Sequence, residues 1–153
     1  MINVLTYNQC AVQLQEVPDE ISLSFYICNC PHKCLGCSSP WLQEVGDKKL
    51  LSNLEFEINK VQDISCITFM GGDLCHEDLI DAAKIVHQLG YKVAVYSGDD
   101  EIDYELLKYV DYYKVGRWDH TKGSLNKTTT NQHMYKKIDG KLEDITYKFQ
   151  EKM

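Results

Sequence analysis

Three cysteines in one short segment have the residue type and the spacing to bind a metal centre. Cys30, Cys34 and Cys37 follow the pattern C-x3-C-x2-C. Three thiolates can hold three irons of a 4Fe–4S cluster and leave the fourth iron open to another ligand. A zinc site is the alternative, with Cys28 or His32 as the fourth ligand. Zinc sites usually add a second cysteine pair further along the chain, which this sequence lacks. The spacing therefore favours iron–sulfur over zinc, and cysteines that bind no metal are the third possibility.

Charge and length narrow the class of protein. The chain has 153 residues, with 16 Lys and Arg against 23 Asp and Glu, and a formal net charge of −7. It has no run of basic residues, which argues against nucleic acid as the main partner. The length predicts a single domain over residues 1–153.

Cysteine usage and the amino-terminal residues indicate the compartment. Seven cysteines is an odd number, and residues 1–5 have neither the basic region nor the apolar core of a signal peptide. No apolar run approaches the ~20 residues that a membrane-spanning helix needs. We therefore expect a soluble, cytoplasmic protein without a membrane partner and without a disulfide framework.

Segments rich in β-branched and aromatic residues predict strands that alternate with amphipathic helices. The predicted strands cover residues 22–28, 64–70, 91–96 and 111–115, with helices after residue 47 or 52, over 77–89 and over 103–109. A weak strand over 2–6, a polar loop over 121–132 and a hairpin around Asp139-Gly140 complete the pattern. The alternation predicts βαβ units and a mainly parallel sheet.

The loops after the predicted strands carry the other candidate residues. The cysteine segment follows the first strand, Gly71-Gly72-Asp73 the second, Ser97-Gly98 the third and Gly116-Arg117 the fourth. Because ligands bind at the carboxyl ends of parallel strands, we expect these loops to share one edge.

Each of these loops also has a plainer interpretation. Gly71-Gly72-Asp73 could be an ordinary strand-to-helix turn, with Asp73 near the start of a helix. Ser97-Gly98 has common turn chemistry, and Arg117 could bind a carboxylate or lie on the surface. Cys66 is predicted to be a core residue. Cys75-His76 could approach a metal centre or only begin a helix.

The cysteine pattern after a first strand, with Gly71-Gly72-Asp73 after the second, resembles the radical S-adenosylmethionine superfamily. Cys34-Leu35-Gly36-Cys37 and Thr129-Thr130-Asn131-Gln132 are similar to segments of the activating proteins of anaerobic ribonucleotide reductase. The resemblance runs from about residue 25 to about residue 135. It implies an α/β fold, an incomplete TIM-like barrel of parallel βα units that is open on one side, with a C-terminal hairpin.

The resemblance also implies a site and an activity. Cys30, Cys34 and Cys37 would bind a 4Fe–4S cluster, and S-adenosylmethionine would chelate the open iron. The cofactor would be bound by Gly36, Cys37, Ser38, Gly71, Gly72, Asp73, Ser97 and Arg117. No protein side chain is expected to act as the catalytic group.

Reductive cleavage of the cofactor would generate a glycyl radical on a glycyl-radical enzyme, the large subunit of anaerobic ribonucleotide reductase. A flavodoxin- or ferredoxin-type protein would donate the electron. Two positions depart from the family: residues 16–21 lack its Gly-Pro-Gly segment, and Val115 replaces an expected acid. A non-catalytic zinc or iron–sulfur module, and a radical enzyme with a different partner, are the alternatives.

Overall fold

The computed structural model describes residues 5–14, 17–28, 46–117, 119 and 121–150. The predictions for Cys30, Cys34, Gly36, Cys37 and Ser38 therefore lie outside the described residues.

Eight strands form one sheet, and four helices accompany them in the described part of the chain. The strands are β1 (Thr6–Gln13), β2 (Ser22–Ile27), β3 (Lys48–Lys49), β4 (Cys66–Met70), β5 (Lys92–Tyr96), β6 (Tyr112–Val115), β7 (His133–Ile138) and β8 (Lys141–Asp144). The helices are α1 (Leu50–Asn59), α2 (His76–Gln88), α3 (Tyr104–Leu107) and α4 (Tyr147–Gln150). The strand order across the sheet is β3-β1-β2-β4-β5-β6-β7-β8.

The expected incomplete TIM-like barrel of parallel βα units is wrong. The sheet is mixed: β2, β4, β5 and β6 are parallel, whereas β1, β3, β7 and β8 pair antiparallel to their neighbours. Connection length explains the antiparallel β1–β2 and β7–β8 pairs, because parallel pairing needs a crossover of about a dozen residues or more. The link from β1 to β2, residues 14–21, is too short for that, and β7 joins β8 through the two-residue turn Asp139-Gly140. The C-terminal hairpin is present as expected.

The parallel centre of the sheet agrees with the sequence pattern. Its strands are in register, with Tyr26 beside Met70, Met70 beside Tyr96, and Tyr96 beside Lys114. These four residues stand at or near the carboxyl ends of their strands. All four carboxyl ends therefore lie along one edge of the sheet.

Both faces of the parallel strands are buried. Successive side chains of a strand point to opposite faces, and Phe69 packs in the larger core while Cys66 packs in the smaller one. The larger core lies under the apolar stripes of α1 and α2, which bury Leu54 and Leu79, among others. Helices of this amphipathic kind gain most of their stability from such packing.

The first described strand, Thr6–Gln13, was not predicted. The weak strand expected over 2–6 lies mostly outside the described residues. A β-bulge between Tyr7 and Gln9 shifts the pairing register, so the strand does not show the strict alternation by which strands are recognised in sequence. The second arm of the hairpin ends at Asp144, whose side chain accepts hydrogen bonds from the amide and hydroxyl of Thr146, and α4 follows. None of the helices in the described ranges is long and apolar enough to cross a membrane.

Candidate functional site at the carboxyl edge of the parallel strands

The loops that were predicted to share one edge do so wherever they are described. Gly71-Gly72-Asp73 follows β4, Ser97-Gly98 follows β5 and Gly116-Arg117 follows β6, all parallel strands in register. Cys28, which follows β2, is buried at the same edge, and its amide donates to the Thr6 carbonyl at 2.7 Å.

The two glycines are fixed by the fold. Gly71 and Gly72 have φ values of +111° and +109°, which L side chains rarely adopt. The Gly71 amide donates to the Tyr96 carbonyl at 2.9 Å, and a Cβ on Gly71 would lie 3.5 Å from the Ile27 Cβ. A Cβ on Gly72 would lie 2.8 Å from the methyl groups of Leu79. The loop thus runs beside the end of β2 and directly beneath α2.

Asp73 joins this loop to the next one. Its Oδ1 accepts from the Ser97 hydroxyl at 2.7 Å and from His76 Nε2 at 2.9 Å, while its Oδ2 accepts from the Gly98 amide at 2.7 Å. The Asp73 side chain is 4% exposed. The structure therefore brings together two predicted cofactor residues, Asp73 and Ser97, through a direct hydrogen bond.

His76, which the sequence left either near a metal centre or at a helix start, begins α2 and is a member of this site. Its Nδ1 lies 2.7 Å from Asp103 Oδ2, its Nε2 lies 2.9 Å from Asp73 Oδ1, and Asp99 Oδ2 is 4.0 Å away. Carboxylate oxygens only accept, so both ring nitrogens donate and the ring is an imidazolium. Hydrogen bonding to Asp73, together with Asp103 and against desolvation, raises the pKa of His76 to about 9. The hydrogen bond between His76 and Asp103 lowers the pKa of Asp103 in turn.

This cluster forms an ion-pair network. Ligand atoms of Asp73, His76 and Asp99 also lie within 4.8 Å of one another, and a metal ion bound there would have to displace a ring proton of His76. A groove of about 400 Å³ lies beside the cluster. Its lining is mainly acidic: His76, Asp99, Asp100, Glu101, Ile102 and Asp103.

Lys114 and Arg117 have different positions at this edge. Lys114 is 8% exposed, and its Nζ donates to the carbonyls of Ser97 at 3.1 Å and Gly116 at 3.0 Å, so it ties the loops after β5 and β6 together. Arg117 has an exposed side chain, and its amide donates to Asp100 Oδ1 at 2.9 Å. Sequence reasoning missed Lys114, because a lysine in an apolar strand gives no sign that it is buried.

Side chains of the Thr129–Gln132 segment donate hydrogen bonds to backbone carbonyls of neighbouring segments. Thr129 donates to the Lys122 carbonyl at 2.6 Å, and the Asn131 amide donates to the Arg117 carbonyl at 3.0 Å. These residues hold the polar loop over 121–132 against the end of β6.

Four cysteines lie within the described ranges, all as free thiols. Cys66 is a fully buried core residue as predicted, and burial raises the pKa of its thiol to about 12. Burial likewise raises the pKa of Cys10 to about 11. Such thiols stay protonated near neutral pH and are poor nucleophiles and ligands.

Comparison of the chain with protein-family models, with curated proteins and with solved structures gave no match. What the chain does is therefore inferred from its own residues.

Proposed function

We propose that this chain is an iron–sulfur activating enzyme that reductively cleaves S-adenosylmethionine and generates a glycyl radical on anaerobic ribonucleotide reductase. The observation that carries the proposal is the order of the parallel strands. The C-x3-C-x2-C segment begins two residues after Cys28, and Gly71-Gly72-Asp73 ends the neighbouring strand β4. Gly71 approaches Ile27 at the end of β2.

The donor set fits the proposed cluster chemically. Cys30, Cys34 and Cys37 would supply three thiolates, and the amino and carboxylate groups of S-adenosylmethionine would complete the coordination of the remaining iron. A reduced cluster held by these cysteines would supply the one electron that breaks the bond from sulfur to the 5′ carbon of S-adenosylmethionine, giving methionine and the 5′-deoxyadenosyl radical that would take a hydrogen atom from a glycine Cα of the partner.

The described residues contribute to such a site by positioning. Gly71 and Gly72 keep their backbone free of side chains at the edge, and Asp73 and Ser97 hold two of its loops together. A preorganised edge of this kind lowers the entropic cost of holding the cofactor in a reactive geometry. The reduced thiols and the proposed cluster suit a cytoplasmic location with a flavodoxin- or ferredoxin-type electron donor.

The test is anaerobic reconstitution of the full chain, followed by metal analysis, visible absorption and incubation with dithionite and S-adenosylmethionine. We expect iron and sulfide, the broad absorption of a 4Fe–4S cluster, and 5′-deoxyadenosine as a product. Cys34→Ala should abolish product formation. Cys10→Ala, in the middle of β1, is the matched control and should retain it. Absence of iron, or of 5′-deoxyadenosine from the wild-type protein, would refute the proposal.

A non-catalytic metal-binding module is a second candidate, favoured by one observation. The carboxylate of Asp73 already accepts hydrogen bonds from Ser97, Gly98 and His76, as it would in a purely structural turn. This candidate predicts stoichiometric zinc, or a cluster that leaves S-adenosylmethionine intact.

A further inference from the structure

His76 connects three parts of the chain at the edge of the sheet. It is the first residue of α2, it donates to Asp73 in the loop after β4, and it donates to Asp103 at the start of α3. Asp103 is fixed in turn, because its Oδ1 accepts from the amides of Glu105 and Leu106 and its amide donates to the Tyr113 hydroxyl.

The Asp73 carboxylate, which the resemblance assigns to the ammonium group of the cofactor, is surrounded by protein donors. A carboxylate has about four acceptor positions, and Ser97, Gly98 and His76 use three of them. Part of the negative charge of Asp73 is also balanced by the imidazolium. Asp73 is thereby suited to shaping the glycine loop rather than to being the main ligand of an ammonium group.

We propose that His76 is a positioning residue for the ligand bound at this edge: held between Asp73 and Asp103, it fixes the Gly71-Gly72-Asp73 loop against the start of α3, while Asp73 itself binds the Ser97-Gly98 loop. The inference rests on the proposed function for the identity of that ligand, S-adenosylmethionine. Loss of the imidazolium would remove the charged donor that lies 2.9 Å from the Asp73 carboxylate and would leave the glycine backbone less well oriented.

The charged groups around His76 favour its charged form and outweigh the burial of the ring, which opposes it. Asp73 faces it from the loop after β4, Asp99 from the loop after β5 and Asp103 from α3. Tyr113 of β6 lies behind Asp103, and its own pKa is raised to about 12, first by burial. The groove beside it adds Asp100 and Glu101. No cation among these described groups opposes protonation of the ring.

The experiment measures the equilibrium affinity of the anaerobically reconstituted full chain for S-adenosylmethionine, with variants at His76. His76→Ala should weaken binding about tenfold or more, the usual effect of losing a residue that orients a ligand-binding group. His76→Gln should lose less affinity, because the glutamine side-chain amide can donate to Asp73 from the position of the histidine Nε2. His87→Gln, on the exposed side of the same helix, is the matched control and should bind as the wild type does.

Two further measurements separate positioning from a general loss of structure. At saturating S-adenosylmethionine the rate of 5′-deoxyadenosine formation should be nearly unchanged in His76→Gln, so that the effect falls on KM rather than kcat. In the NMR spectrum, the His76 ring of the wild type should titrate near pH 9, and Asp103→Asn should lower that midpoint. Asp103→Asn also serves if His76→Ala does not fold.

The outcomes distinguish this inference from the function on which it rests. Wild-type affinity in both His76→Gln and Asp103→Asn would overturn the positioning role while leaving the enzyme intact. A His76 midpoint near the ordinary value of 6.5 would also overturn it. Wild-type protein that neither binds nor cleaves S-adenosylmethionine would overturn the proposed function, and with it the ligand named here.

Discussion

Stability of the folded chain should depend on pH through His76. Its pKa is raised from 6.5 to about 9 in the folded protein, chiefly by the hydrogen bond to Asp73. A folded-state pKa above the unfolded value means that the native state binds the proton more tightly. The stabilisation is therefore complete below pH ~6.5 and is lost as the pH rises through ~9.

The magnitude follows from the size of the shift. One pKa unit corresponds to about 1.36 kcal/mol, so a shift of about 2.5 units is worth at most about 3 kcal/mol. The side chain is 19% exposed, so solvent screening of these contacts is limited. Linkage then gives about 3 kcal/mol at pH 6, about 1.4 kcal/mol at pH 8 and almost nothing at pH 10.

The assay is urea denaturation of wild type and His76→Gln from pH 6 to pH 10. The difference in the free energy of unfolding between the two proteins cancels the titration of cysteines and tyrosines that both share. We expect that difference to shrink by about 2 to 3 kcal/mol across the range. His87→Gln, which removes an ion pair whose histidine side chain is 40% exposed, should lower the free energy of unfolding by less than about 1 kcal/mol. Parallel curves for wild type and His76→Gln between pH 6.5 and pH 9 would refute the ion-pair interpretation.

Two further pairs of substitutions test the glycine loop of the site and the opposite edge of the sheet. Gly72→Ala should lower the free energy of unfolding by about 1–2 kcal/mol because the backbone there is left-handed. The clash of the new Cβ with Leu79 should lower it by about 1–3 kcal/mol more. Gly90→Ala, at φ +93° with open space around its Cβ, should show only the first cost, and equal urea midpoints for the two variants would contradict the clash. Glu20→Gln should destabilise by about 3 kcal/mol, because the buried carboxylate accepts from Lys92, Ser65 and Tyr112. Tyr112→Phe, which removes one of these donors, should cost about 1 kcal/mol, and a Glu20→Gln protein as stable as the wild type would argue against this network.

The parallel centre of the fold was predictable because its signals are local. Continuous apolar runs such as that of β4, followed by Gly71-Gly72, mark both the strand and its end. The flanking strands were not predictable in the same way. The bulge beside Tyr7 hides β1, and the direction of β7 depends on its pairing with β6 rather than on any pattern within it.

The residues of the candidate site likewise fall into those with a local sequence signal and those that only packing brings together. Asp73 and Ser97 were identified because each follows a predicted strand. His76 and Asp103 were not identified as partners, since 27 residues separate them and their contact is created by the packing of α2 beside α3. The spacing of Asp73 and His76, three residues apart across a helix start, was the one local sign that the two could meet.

The two edges of the parallel strands together provide a control that neither offers alone. At the amino edge Glu20 joins the beginnings of β5 and β6 through Lys92 and Tyr112, and at the carboxyl edge Asp73 joins the loops after β4 and β5. Each edge is thus held by one buried carboxylate that accepts hydrogen bonds from three other residues. If His76 acts on the ligand only by stabilising the fold, a Glu20→Gln protein of equal stability should lose S-adenosylmethionine affinity to the same extent. If His76 acts locally, affinity should fall in the His76 variant alone, because only the carboxyl edge carries the glycine loop and leads into the cysteines.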